Sequence, residues 1–209
     1  MSTATRGRRT ARASGDARER ALVDAFEALL QTRPMADIAI DEIAARAQLS
    51  RSAFYFYFAS KHAVLLELLD RMVAEADDRL AALGVPGDDP AGWWRRCIEV
   101  FVDVFGEHRA VTATLAEARA TVPEVREEWS RRSGRWIEQT ASTIVAERRR
   151  GRAREIVDPR ATAVALNAMN EQVIAASFAG AAPAVPPDEL LDVLTDVWLA
   201  TIYARPSIL

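Results

Sequence analysis

The sequence predicts an all-α fold: an N-terminal three-helix head built on a helix-turn-helix, then a larger helical body. Three observations predict it. Apolar residues recur at helical spacing along the chain, with no stretch of strand-like alternation. Prolines fall between those stripes or at their first positions, at Pro34, Pro86, Pro90, Pro123, Pro159 and Pro187. And Ile40 to Phe58 reads as two short helices joined by a tight turn.

Residues 1–15 form a small, polar, basic arm, expected to be disordered without DNA. It reads either as a solvated tail or as an arm that contacts phosphates or enters the minor groove. A first helix is expected from about Asp16 to Thr32, with Leu22, Phe26, Leu29 and Leu30 on one stripe and Pro34 as its stop. Ile38 and Ile40 lead into a second helix, whose first turn carries Asp41 and Glu42, where negative charge complements the helix dipole. Ile43, Ala44 and Ala47 give it a small apolar side, and Leu49 plugs the turn.

Ser50 is placed to cap the third helix, its hydroxyl accepting from an N–H that has no partner in the first turn. Phe54 and Phe58, four apart, share the inward face, which leaves Arg51, Ser52, Tyr55 and Tyr57 toward solvent. A short helix of that kind suits a DNA major groove. The expected DNA-binding set, over Ser50 to Tyr57 and beyond, is Ser50, Arg51, Ser52, Ala53, Tyr55, Phe56, Tyr57 and the phosphate-binding Lys61.

Ser60 caps a long fourth helix, Lys61 to Leu83, striped by Leu65, Leu68, Leu69, Met72, Val73, Ala76 and Leu80. The head is therefore assigned to 16–60 and the body to 61–209. Gly84 to Pro90 is a loop within the body. Further helices are expected over Trp93–Gly106, Arg109–Arg119, Pro123–Arg150, Pro159–Gly180 and Pro187–Ala204. His108 lies beside a helix end, where it can cap or complement the dipole. The run Glu147 to Arg152 reads as a solvated helix C-terminus rather than a second nucleic-acid site.

Composition narrows the function. Half of the residues are hydrophobic and 27% are charged, which excludes a disordered chain and supplies a core. A net charge of −3 excludes a uniformly basic nucleic-acid binder, yet Arg6, Arg8, Arg9, Arg12, Arg18 and Arg20 crowd the start against only Asp16 and Glu19. Cys97 is the sole cysteine, so neither an internal disulfide nor a cysteine zinc site is available. No apolar run reaches membrane-spanning length, and no apolar segment follows the basic start, so a cytoplasmic protein with no membrane partner is expected. His62 and His108 neighbour no nucleophile or metal cluster, and there is no phosphate-cradling glycine loop; no catalysis, cofactor or metal is expected.

In the body, Trp94, Phe101 and Phe105 share one helix face; Trp129 and Trp136 repeat seven apart, and Trp198 lies on the last helix. Such stripes are usually plain core. Asn167 and Asn170 sit three apart on a helix rich in Ala, Leu and Met, where a carboxamide without a partner costs roughly 1–3 kcal/mol. A ligand among the indoles would satisfy them. So would each other, a neighbouring backbone group or water.

The segment Ser50 to Tyr57, followed by Phe58-Ala59-Ser60-Lys61 and Val64-Leu65-Leu66, resembles the TetR-family one-component repressors. Arg6 to Arg12, Ala118 to Thr121, Ala165 to Glu171 and Ala176 to Gly180 make it more similar to the EthR-like members, over nearly the whole chain. The resemblance implies an elongated aromatic pocket for a small apolar effector, at Trp94, Phe101, Phe105, Trp129, Trp136, Thr140, Asn167, Asn170 and Trp198; Cys97, among them in sequence, and Glu171, as a pocket carboxylate, complete the expected effector set. It implies a homodimer through the last two long helices, which are apolar on more than one face, and a palindromic double-stranded operator as the DNA partner. The chain departs from the pattern at Gln48, where Gly is usual, at Ser52, Ala53 and Ala59, and around the pocket at Cys97, Ser133, Gln139 and Ala175. A ligand-responsive repressor is the reading these features favour. A helical carrier or sensor of lipid-like molecules with a vestigial head is the alternative.

Overall fold

The computed structural model describes residues 4–155, 158–180 and 182–203, with side chains from Gly15 onward. Its elements are α1 (Ala4–Leu30), α2 (Ile40–Arg46), α3 (Arg51–Tyr57), α4 (Lys61–Leu83), α5 (Pro90–Glu107), α6 (Arg109–Thr121), α7 (Pro123–Arg149), α8 (Pro159–Ala179) and α9 (Leu190–Tyr203). A short 3-10 turn, Met35–Asp37, precedes α2. Among the described residues there is no strand.

The chain divides into a head, up to Arg71, and a body from Met72. The division falls inside α4, beyond the boundary expected at Ser60. Val64, Leu65, Leu68 and Leu69 of the first turns of α4 are buried, while Met72, Val73, Ala76 and Leu80 carry the buried face on into the body.

In the head, Leu22, Val23, Phe26 and Leu30 of α1 are buried, as are Ile43 and Ala44 of α2 and Phe54 of α3. The backbone is already helical at Ala4, well before the expected start at Asp16. Alanine and arginine are among the best helix formers, and no proline interrupts them. The side chains of the basic arm lie outside the described residues.

Helix ends in the body follow local chemistry. Asp89 accepts from the amide of Gly92 at 2.8 Å and Asp158 from that of Ala161 at 2.7 Å, each ahead of a proline at the first helical position. Gly180 ends α8 in the left-handed region, φ 64°. The last helix begins at Leu190, not at Pro187. The amide of Glu189 donates to the carbonyl of Pro186 at 3.0 Å, so residues 187–189 form a separate turn before α-helical bonding starts. Within the body α7 and α6 pack on α8, and α5 packs on α9.

The end of α7 is not the solvated terminus expected. Glu147 is fully buried, and its Oε1 accepts from Arg150 and Arg152, each at 2.8 Å. Its Oε2 accepts from the hydroxyl of Tyr203 at 3.2 Å, and Tyr203 in turn accepts from the indole of Trp94 at 2.9 Å. Burial, ahead of its neighbours, pushes the Tyr203 phenol up to about 12, so it remains a donor. Arg152 also reaches the carbonyl of Gly87 at 2.9 Å, which ties the 84–89 loop to the same cluster. Two of the arginines read as solvated are therefore drawn in by a buried carboxylate. Removing one partner of a buried pair leaves uncompensated charge. Glu147→Ala is expected to destabilise the protein by about 3 kcal/mol, read as a lower urea midpoint in equilibrium unfolding.

Candidate functional site

The head presents one small helix on a closely packed support. The turn between α2 and α3 closes through the amide of Leu49 on the carbonyl of Ala44 at 2.8 Å. Gln48 sits there at φ 57°, the one non-glycine among the described residues in the left-handed region. A side chain in that conformation costs roughly 1–2 kcal/mol. Ser50 caps α3 as expected, accepting from the amide of Ala53 at 3.1 Å. Glu42 caps α2 from inside, accepting from the Ala39 amide at 2.9 Å and from Arg33 at 2.7 Å. Those bonds, the Ala39 amide first, lower its pKa below the ordinary carboxylate value.

Phe54 and Phe58 are buried, with ring centres 6.0 Å apart. Opposite them Arg51, Ser52, Tyr55 and Phe56 are exposed, while Ala53 and Tyr57 are half-buried. Phe56, at 81% exposure, is the most open of these aromatics, and its ring meets Tyr57 edge-on. Tyr57 is thus less outward than its position suggested, and Phe56 more so. Arg51 pairs with Asp41 at 2.8 Å and leans over the Tyr55 ring at 5.5 Å. Lys61, expected to bind phosphate, is turned toward the protein in this structure. Its ammonium donates to the carbonyls of Met35 and Ile38 at 2.6 and 2.7 Å, closing the 3-10 turn onto the start of α4. The carbonyl of Met35 also accepts from the Ile38 amide at 3.3 Å, so the ammonium adds a second bond there.

The body holds two adjoining hollows, with about 540 and 390 Å³ of empty space, part of it open to solvent. They share the walls Phe101, Trp136, Asn167 and Asn170, so they form one divided crevice. Phe105, Trp129 and Glu171 line the larger hollow; Trp94, Cys97, Thr140 and Trp198 line the smaller. All eleven residues singled out from the sequence therefore meet at this crevice. The stripe on α5 did not reveal Trp93, which lines the smaller hollow and packs against Trp94 with ring centres 4.8 Å apart. Arg119 was also missed as a wall residue, although it lies in the Ala118 to Thr121 segment. Its charge gave no cue that it would turn toward an apolar space.

The two asparagines have partners within the protein. Asn167 donates to the carbonyl of Ala163 at 2.9 Å and to Thr140 at 3.3 Å. Asn170 accepts from the indole of Trp198 at 2.8 Å. A neighbouring backbone group and Thr140 engage the nitrogen of Asn167, and an indole engages the oxygen of Asn170. Trp136 donates to Asp77 of α4 at 2.8 Å, and Arg135 pairs with the same carboxylate at 3.1 Å.

At the far end of the larger hollow, Arg119 lies over the Trp129 ring at 4.5 Å and pairs with Glu171 at 3.2 Å. Burial, the largest influence, raises the Glu171 pKa, against the lowering effects of Trp129 and Arg119. The indole N–H of Trp129 lies near enough to Glu171 to be felt, yet closes no hydrogen bond of good geometry. The indole N–H of Trp93 has no acceptor either. His108 does not cap α6 with its side chain; its Nε2 stands 3.7 Å from Glu75.

A capped, outward-facing reading helix in one unit and an aromatic crevice in another point to a helix-turn-helix regulator. Comparison with known proteins agrees. Residues 22–68 match the family model for bacterial regulatory proteins of the tetR family, and residues 94–204 match that for the C-terminal domain of the transcriptional regulator EthR. The HTH-type transcriptional regulator EthR of Mycobacterium tuberculosis is 50% identical over 96% of this chain and 94% of its own. The protein of the same name from Mycolicibacterium smegmatis is 42% identical over 95% and 92%. Among solved structures, a putative transcriptional regulator from Saccharomonospora viridis in complex with choline superposes with a TM-score of 0.70 at 22% identity, over 90% of this chain and 98% of its own. The chain belongs to the TetR family of transcriptional regulators, with an EthR-type C-terminal domain. No helix among the described residues is long and apolar enough to cross a membrane.

Burial pushes the Cys97 thiol up to about 12, against a weaker opposing effect of Arg96. The thiolate is the reactive form. Iodoacetamide at pH 8 is therefore expected to alkylate Cys97 at least about a hundredfold more slowly than free glutathione, with mass spectrometry following the adduct.

Proposed function

We propose that the chain is a repressor that binds a palindromic operator as a homodimer and leaves it when a small apolar effector enters the crevice. One observation carries the DNA-binding half of this reading: α3 turns Arg51, Ser52, Tyr55 and Phe56 outward over a buried Phe54 and a Ser50 cap. Polar tips can bond base edges or phosphates, and the aromatic rings can meet thymine methyls. The basic arm supplies further phosphate contacts through Arg6, Arg8, Arg9 and Arg12.

Support for the dimer comes from α8 and α9. Val164, Val193 and Val197 are between 38% and 40% exposed, an apolar surface without a cover. Two-fold pairing there would present two reading helices to successive major grooves, about 34–36 Å apart. The effector's leverage is supported by Trp136, a wall of both hollows that is bonded to α4. Helix α4 is continuous into the head. A ligand that repositions that indole acts on the helix, and it shifts the population only by binding one state more tightly than the other. The named relatives are regulators, and this reading needs no catalytic step.

Duplex DNA from upstream of the protein's own gene tests the reading in a mobility-shift titration. Wild-type protein is expected to bind with a steep salt dependence. Arg51→Ala combined with Tyr55→Ala should weaken binding by at least about tenfold, with the fold intact by circular dichroism. Unchanged affinity would remove α3 as the reader, and no binding at any salt would favour the carrier. Lys61→Met is expected to lower the thermal midpoint while leaving the slope of log affinity on log salt within error of wild type, because its ammonium is held by Met35 and Ile38.

A further inference from the structure

We infer that the body carries a second ligand site, a hollow at the ends of α7 and α9 where Arg148 and Arg154 hold the phosphate of a small phosphate ester. This hollow and the aromatic crevice have no wall residue in common, so the site stands or falls apart from the effector reading above.

The hollow has about 640 Å³ of empty space, part of it open to solvent. Ile144 and Arg148 stand four apart on α7 and share the face that lines it. Arg154 is positioned by its backbone. Its amide donates to the carbonyl of Ile202 at 3.0 Å, which fixes the segment after α7 to the end of α9. Two guanidinium side chains therefore line one space, and no acidic residue is among its walls. The acids close by in sequence are engaged or turned out. Glu147 is taken by Arg150, Arg152 and Tyr203, Asp158 by the amide of Ala161, and Glu155 is exposed.

Arg154 is the group that asks for a ligand. Among the described residues no carboxylate pairs with it, and its Nε–H, shielded from solvent, has no acceptor. A buried donor without an acceptor is a standing cost, larger when the group is charged. A guanidinium offers its N–H groups as a planar fork that matches two oxygens of one phosphate. Arg148, which has an interaction of its own, adds a second positive charge and so favours a dianion over a single carboxylate. The hydroxyls of Thr162 and Thr201 donate to the carbonyls of Asp158 and Val197 at 2.9 and 2.7 Å, which leaves recognition of the anion to the arginines. Ile144 and Ile202 add apolar walls that an ester's organic part would cover and a bare inorganic ion would not.

Phenyl phosphate and inorganic phosphate, titrated calorimetrically at pH 8 into wild-type protein, Arg154→Gln and Arg149→Gln, test this, with each fold checked by circular dichroism. Wild type is expected to bind the ester at one site, at least about threefold more tightly than the inorganic ion because of the apolar walls. Arg154→Gln should weaken the ester at least about tenfold, as loss of a charge-assisted bond allows. Arg149 is exposed and outside the lining, so Arg149→Gln should stay within about twofold of wild type. If Arg154→Gln does not fold, Arg154→Lys takes its place, with an expected loss of about threefold because an ammonium cannot supply the fork. No saturable binding, or equal affinity in wild type and the Arg154 variant, would overturn the inference. So would an equal loss in Arg149→Gln, which would reduce the effect to diffuse charge. Inorganic phosphate bound as tightly as the ester would mean an adventitious ion only. Binding that appears only when dilution separates a dimer would assign the arginines to a second copy of the chain and overturn it as well.

Discussion

The body is held by the requirement that polar atoms among apolar helices find partners. A buried carboxylate without partners costs several kcal/mol, and Glu147 has three: Arg150, Arg152 and Tyr203. Those bonds tie the end of α7 to the end of α9, and Arg152 adds the loop before α5. Tyr203 then holds the indole of Trp94, a wall of the smaller hollow. The same rule orders the rest of the crevice, where Trp198 faces Asn170 and Trp136 faces Asp77. Trp94 and Trp136 present their rings to the space and send their N–H groups to residues outside its walls, Tyr203 and Asp77. Much of the polar lining is thus engaged within the protein, while the N–H groups of Trp129 and Trp93 close no bond.

The head solves a different problem with fewer parts. Helices α2 and α3 have seven residues each, too short to persist alone in water. Phe54 and Phe58 bind α3 to the head core, while caps from Ser50 and Glu42 satisfy helix starts. Lys61 fastens the segment before α2 to α4. With those positions committed inward, the outer face is free to be shaped for a partner. Its most exposed member, Phe56, has no packing reason to be aromatic. Arg51 is exposed but paired with Asp41, so DNA must compete with that carboxylate for the guanidinium. At 56% and 61% side-chain exposure the pair is worth little, roughly 0–1 kcal/mol, and a phosphate or base edge can replace it.

What the sequence made legible was local or periodic. The bounds of α4 were readable because Ser60 caps it, an unbroken stripe runs through it and Gly84 follows it. The crevice residues were readable because their faces repeat along α5, α7 and α8, and because the family resemblance named the same positions. Pairs distant in sequence were not readable. Lys61 meets carbonyls 23 and 26 positions earlier. Glu147 meets a tyrosine 56 positions later, so an acid followed by arginines looked like a solvated end. Trp93 was missed because one face was assigned to α5, whereas two adjacent indoles border the space. The start of α9 was misplaced because proline begins isolated turns as readily as helices.

A last step connects the crevice to DNA binding. Phe101 and Trp136, whose rings meet edge-on at 4.8 Å, are among the walls common to both hollows. A molecule long enough to occupy both hollows must part that contact, and Trp136 cannot move far without disturbing Asp77. Binding energy alone is a poor guide to which ligands act, because a ligand shifts the population only by its difference in affinity for the two arrangements. Effectiveness should follow whether the ligand crosses between Phe101 and Trp136, since only the parted arrangement accommodates it. That asymmetry gives an apolar ligand, with few directional contacts, a means of acting on α4.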